Sequence, residues 1–144
     1  MNWTKGVTRY ISREVQVNLV VGVGIDTVDV VSFRKRLNDL LVEELFLPAE
    51  IEYCRSQVRF WENFAARFAA KEATFKALGA GLSSGLRFKD VEIVKCADSG
   101  SISIKLHGKA RSFQNRKKVT NIFVSISHTK VNAISIVIAE GKSV

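Results

Sequence analysis

Trp61-Glu62-Asn63-Phe64-Ala65-Ala66-Arg67-Phe68-Ala69-Ala70-Lys71-Glu72-Ala73-Thr74-Phe75-Lys76-Ala77-Leu78 contains neither proline nor glycine and is rich in alanine, the residue that loses least on entering a helix. It predicts one long helix over residues 61–78, and Gly79 and Gly81 mark its end. At about 100° per residue, Phe64, Phe68, Phe75 and Leu78 fall within one narrow arc, which should face the core. Glu72 lies just beside that arc. Lys76 follows on the same edge, four residues later, so a carboxylate and an ammonium can reach a common site. The same spacing also suits an ordinary helix-stabilising pair worth about 0.3–0.5 kcal/mol. Arg67 projects from the opposite edge of the arc, and Lys71 falls inside it, between Leu78 and Phe64. Both can bind phosphate at a different place from Glu72, or simply pass apolar neighbours on the way to water.

Upstream, residues 19–26 (Leu-Val-Val-Gly-Val-Gly-Ile-Asp) read as a buried strand with Val21, Val23 and Ile25 on one face and Gly22, Gly24 and Asp26 on the other. Glycines beside a carboxylate leave room for a close approach to the backbone, by a ligand or by a neighbouring strand. Gly22-x-Gly24 lacks the third glycine of a dinucleotide fingerprint and ends its strand at Asp26, which excludes a Rossmann reading. Residues 31–45 show helical spacing, with Arg34, Lys35 and Arg36 near the start, and Leu47-Pro48-Ala49-Glu50 opens a short helix.

Downstream, residues 91–94, 102–106, 122–126 and 133–139 look like strands, and Asp98-Ser99-Gly100 turns the first two into a hairpin. Residues 108–118 are basic and suit a helix with Ala110 and Phe113 on one side. His128 sits at a hairpin end, open to phosphate contact, to proton transfer or to neither. The architecture expected is α+β, a mainly antiparallel sheet wrapped on one long helix.

With 144 residues, 47% of them hydrophobic, the chain suits a single domain, expected over residues 20–144 after an N-terminal extension of residues 1–19. That extension has neither an apolar core region nor a small-residue cleavage site, which argues against a secretory signal. No apolar run approaches the roughly 20 residues of a membrane span, so no membrane partner is expected. Cys54 and Cys96 form no metal-ligand pattern and read as free thiols of a reducing, cytoplasmic compartment. The formal charge of +8 attracts phosphates, acidic proteins and nucleic acid alike and names none of them. Asp26 and Glu72, hard oxygen donors from different elements, form the pair magnesium prefers when phosphates and water complete its octahedron. Gly79-Ala80-Gly81 could admit a ligand to the backbone, although a helix cap is the commoner reason for glycine there.

Together, Gly24-Ile25-Asp26, residues 46–50, Arg67-Phe68-Ala69-Ala70-Lys71-Glu72-Ala73 with Lys76-Ala77-Leu78-Gly79-Ala80-Gly81, and Ser125-Ile126-Ser127-His128 resemble the holo-acyl-carrier-protein synthases, in that family's order and spacing. The resemblance runs from about Val21 to Glu140. It implies the 4′-phosphopantetheinyl transferase fold and a magnesium-dependent transfer of 4′-phosphopantetheine from coenzyme A to a serine of apo-acyl carrier protein, serving fatty acid synthesis. It also implies a homotrimer with sites between subunits. Asp26 and Glu72 match the family's metal ligands, Lys76 its pyrophosphate-contacting lysine, and Arg67 and His128 residues near the coenzyme's phosphates; Lys71, Gly79 and Gly81 complete the expected coenzyme-binding set. Glu72 or Asp26, through water, is the expected base. Ser32 stands where the family commonly has a basic residue for carrier docking, and Arg34, Lys35 or Arg36 can substitute. The turn at Asp98-Ser99-Gly100 lacks the proline often found beyond it in the family, with no consequence expected. A nucleic-acid-binding module is the other class that the charge admits, but Phe64, Phe68 and Phe75 follow the core arc instead of interleaving with lysines on an exposed face. Transferases for polyketide or peptide-synthesis carriers typically carry two fused copies of the half-domain; one copy of each motif fits the short, self-associating type.

Overall fold

The computed structural model describes residues 16–142. Its centre is α4 (Phe60–Leu78), which packs on a three-stranded antiparallel sheet of order β1 (Asn18–Asp29), β5 (Asn132–Lys142), β4 (Val119–His128). A separate antiparallel hairpin, β2 (Val91–Lys95) with β3 (Ile102–Leu106), covers another side of the helix. Between β1 and α4 lie three short helices, α1 (Val30–Arg36), α2 (Asp39–Leu45) and α3 (Pro48–Arg55), and α5 (Gly108–Arg116) bridges the two sheets. Of the expected extension, residues 1–15 lie outside the described residues, while Asn18 and Leu19 already pair with Lys142 and Gly141 inside the sheet.

The long helix stands where the alanine-rich stretch put it, and Gly79 ends it in the left-handed conformation at φ 64°. Its buried surface is wider than the phenylalanine arc. Phe33, Phe68, Phe88 and Phe75 form an aromatic chain with neighbouring centroids 5.2–5.3 Å apart, while Ala66, Ala69, Ala70, Ala73 and Ala77 are buried too. The alanine side exists because β1 comes so close: a Cβ on Gly22 would overlap the Ala77 carbonyl, and one on Gly24 the Ala73 carbonyl. Those glycines therefore admit a helix rather than a neighbouring strand.

Two expectations need correction. The valine face of β1 is not buried in the single chain: Val23 is 56% and Ile25 54% exposed, because the glycine face is the one that meets α4. Residues 31–45 are two helices, not one. Leu37 and Asn38 are extended, and the Asn38 side chain accepts from Leu41 N at 2.9 Å to start α2. Arg34, Lys35 and Arg36 thus occupy the last turn of α1, where cations suit the helix dipole.

Candidate active site

Strand pairing carries Asp26 to α4. Register places Asp26, Ser135 and Ile126 in one row across β1, β5 and β4 on the helix-facing side. There Lys76 Nζ donates to Asp26 Oδ1 at 2.8 Å and to the Ile25 carbonyl at 2.9 Å. Glu72, one turn earlier and partly buried, holds its proton above the ordinary carboxylate range, first because of burial and then because of the negative charge of Asp26, with Lys76 opposing both. Two carboxylates and an ammonium from a strand and a helix thus meet at one place. They adjoin a cleft of about 550 Å³ lined by Glu72, Phe75, Lys76, Gly79, Gly81 and the turn at Leu82–Ser84.

The glycine close of α4 divides its tasks. Gly79 N and Ala80 N donate to the carbonyls of Lys76 and Phe75, so those amides serve the helix cap. The Lys117 ammonium donates to the Leu78 carbonyl and supplies a cation at the helix C-terminus. Gly81 is different: its backbone is extended, and nothing approaches within 4 Å of the place a Cβ would occupy. The cleft wall is open there.

Asp26 and Glu72 fit a magnesium ion by donor chemistry. Both are hard oxygen ligands, Glu72 feels the charge of Asp26, and Asp26 already holds a cation, the Lys76 ammonium. Among the described residues no cluster of three or more His, Cys, Asp and Glu could hold a metal alone. Water and substrate oxygens would therefore have to fill the remaining positions.

The other expected residues are dispersed. Arg67 does point away from Glu72: it is 5% exposed, its guanidinium lies 4.2 Å over the Tyr53 ring, and its Nε has no hydrogen-bond partner. Lys71 departs from its expected place among the coenzyme-binding residues. It is wholly buried and donates to Glu50 Oε2 at 2.8 Å, the Phe88 carbonyl at 3.1 Å and the Val91 carbonyl at 2.6 Å, which leaves no donor for a phosphate. It does not reach water either. His128 ends β4 on the same sheet face as Asp26, two strands across and two residues along. Its Nδ1 meets Glu62 Oε2 at 3.2 Å. Both cysteines are unpaired; burial pushes the Cys54 thiol up to about 11, while Cys96 is exposed.

The 4′-phosphopantetheinyl transferase superfamily matches this chain over residues 22–133, from the glycine face of β1 to the start of β5. The chain belongs to that superfamily. Within it, the holo-[acyl-carrier-protein] synthase of Geobacter sulfurreducens is 41% identical over 125 residues, covering 85% of this chain and 98% of that one. The crystal structure of the holo-(acyl-carrier-protein) synthase from Bacillus anthracis in complex with CoA (3′,5′-ADP) superposes with a TM-score of 0.70 at 30% identity, covering 85% of this chain and 97% of that one. The holo-ACP-synthase of Plasmodium yoelii reaches a TM-score of 0.76 at 27% identity, over 89% and 100% of the two chains.

Two residues of this transferase escaped the sequence reading. Glu50 accepts from Leu47 N, Ile93 N and Lys71 together, and its signal was legible: a carboxylate three residues past a helix-opening Leu-Pro can reach back to the cap. Glu62 carried no such mark. A carboxylate in the first turn of a helix is commonplace, and only the fold brings His128 to it.

Proposed function

We propose that this chain moves the 4′-phosphopantetheine arm of coenzyme A onto a serine of an apo-acyl carrier protein, releasing adenosine 3′,5′-bisphosphate. The observation that carries the reading is the Asp26–Lys76–Glu72 cluster at the mouth of the Gly79–Gly81 cleft, in a chain so similar to holo-acyl-carrier-protein synthases. In this reaction the serine Oγ attacks the pyrophosphate phosphorus that bears the pantetheine, the bond to the bridging oxygen breaks, and the serine proton passes to a base. Asp26 and Glu72 would hold magnesium, which when bound neutralises charge on the pyrophosphate. Lys76 adds a second cation and, half exposed, can leave Asp26 for the leaving phosphate. Glu72 or Asp26, through a water, would accept the serine proton. The open wall at Gly81 suits close approach by the nucleotide end.

The partners follow from charge and apolar surface. The carrier is acidic, and Lys35 and Arg36, exposed at the end of α1, face solvent where Ser32 offers no charge; Arg34 is engaged with Trp61, 3.9 Å over its ring. A homotrimer would cover the outward sheet face, where Val23, Ile138 and Phe123 align in one row beside Ile25 and Ile136 in the next. An exposed stripe of this kind is a usual mark of association. An intersubunit site would also bring Arg67 and His128, remote from Glu72 in their own chain, to a neighbour's coenzyme. Two unpaired thiols suit a cytoplasmic setting.

The test is to incubate the protein with coenzyme A, magnesium and apo-carrier and to weigh the carrier by mass spectrometry. Addition of one phosphopantetheine by the wild type, and its loss in Asp26→Asn and Glu72→Gln variants that still fold, is expected. An unmodified carrier ends the proposal, and near-normal turnover in either variant ends the metal-ligand assignment. Sedimentation at micromolar concentration checks the trimer; a monomer there would refute it.

A further inference from the structure

The cluster at Asp26 leaves another buried carboxylate without a role, at the other end of α4. Glu62 lies in the first turn of that helix and is 3% exposed, one turn before the buried Ala65 and Ala66. A carboxylate withdrawn from water needs partners. Among the described residues it has two: His128 Nδ1 at 3.2 Å from Oε2, and the half-exposed Arg59, whose Nη1 stands 3.8 Å from Oε1. An ionised carboxylate only accepts, so the shared proton belongs to Nδ1, and the ring is thereby held with Nε2 as the nitrogen left for a ligand. His128 is 37% exposed at the end of the β4–β5 hairpin, so its ring reaches the protein surface there. A carboxylate behind a partly exposed imidazole is the arrangement by which proteins select one tautomer and one ring orientation.

We propose that Glu62 is a positioning residue of this transferase: it holds His128 with Nδ1 protonated and directed inward, and so presents Nε2 to a phosphate oxygen of coenzyme A. The proposal rests on the transfer reading above, and it assigns Glu62 a task performed through His128 and not through the Asp26–Glu72 cluster. Arg59 completes the device by approaching the second carboxylate oxygen, which steadies Glu62 without competing for the oxygen that His128 uses.

Two measurements test it. Imidazole 15N NMR of the wild-type chain reads the tautomer without reference to activity: Nδ1–H is expected for neutral His128, with a shift toward Nε2–H in Glu62→Ala. A wild-type Nε2–H ring, or a tautomer ratio unmoved by Glu62→Ala, overturns the assignment. Steady-state kinetics then reads the consequence. Glu62→Ala is expected to raise KM for coenzyme A about tenfold with kcat within about threefold, in keeping with the usual effect of removing such a supporting carboxylate. Glu62→Gln, which keeps an acceptor for Nδ1–H and the shape of the side chain, should restore most of the affinity and covers the case in which the alanine variant does not fold. In a His128→Ala background, Glu62→Gln and Glu62→Ala should add nothing further to KM, whereas an additive effect would show that Glu62 acts independently of His128 and refute the proposal. A fall in kcat at unchanged KM would refute the phosphate contact. A wild type that shows the expected tautomer but transfers nothing to the carrier would overturn the function reading, and with it the phosphate contact, while leaving the Glu62–His128 geometry standing.

Discussion

Replacing Lys71 by methionine separates a structural lysine from a coenzyme-binding one. The ammonium is wholly buried, and it is held by Glu50 and two main-chain carbonyls; burial draws its proton affinity below the ordinary lysine range, opposed first by the Glu50 carboxylate and then by Glu92. Methionine fills much of the same volume but leaves the Glu50 carboxylate, itself 1% exposed at the side chain, with a full charge and only the Leu47 and Ile93 amides to answer it. Breaking a buried pair from one side costs about 3–5 kcal/mol, against about 5–15 kcal/mol for the whole fold. With a urea slope of about 2 kcal/mol per M, a loss of about 4 kcal/mol moves the unfolding midpoint down by about 2 M. Adding Glu50→Gln to Lys71→Met removes the orphaned charge and should recover part of that loss, because the pair as a whole is worth less than either half left alone. Urea unfolding followed by circular dichroism measures both variants. Below the transition, KM for coenzyme A should stay within about threefold of wild type. A Lys71→Met midpoint within about 0.3 M of wild type would refute the burial argument, and a tenfold rise in KM in the folded variant would restore the lysine to the coenzyme site.

Glu72 makes a prediction with a definite sign. A carboxylate whose proton affinity is raised in the folded state binds protons better folded than unfolded, so its contribution to stability is best at low pH and declines as pH rises from the ordinary carboxylate range through the raised value. Glu72→Gln should therefore melt above wild type at neutral pH, by no more than about 2–4 °C because the group is partly solvated, with the difference vanishing near about pH 3.5. Calorimetry across that range checks it, and a variant that melts lower at neutral pH refutes it. The two glycine positions give contrasting expectations: Gly24→Ala forces β1 off the Ala73 carbonyl, costing about 1–3 kcal/mol or more and displacing Asp26 two residues on, whereas Gly81→Ala meets open space and should leave the melting point unchanged. Equal stability of the two variants would contradict the packing described.

Residues 61–81 by themselves determined the long helix, its glycine stop and the shared edge of Glu72 and Lys76, because helix propensity and the 3.6-residue period are local properties that neighbours in sequence settle. Alternation likewise put Gly22, Gly24 and Asp26 on one face of a strand before any contact was known. Which face of that strand meets the core was decided only in three dimensions: valines usually point inward, but here the glycines do, since α4 comes too close for any Cβ, and the valine face is left outside. The roles of Lys71 and His128 were decided the same way. Lys71 within an apolar arc reads equally well as a snorkelling chain or a phosphate ligand, and it is neither, because Glu50, distant in sequence, stands behind it. His128 alone names no role. The carboxylate that orients it lies 66 residues away on another element, and a pairing across that distance depends on how sheet and helix pack rather than on any pattern along the chain.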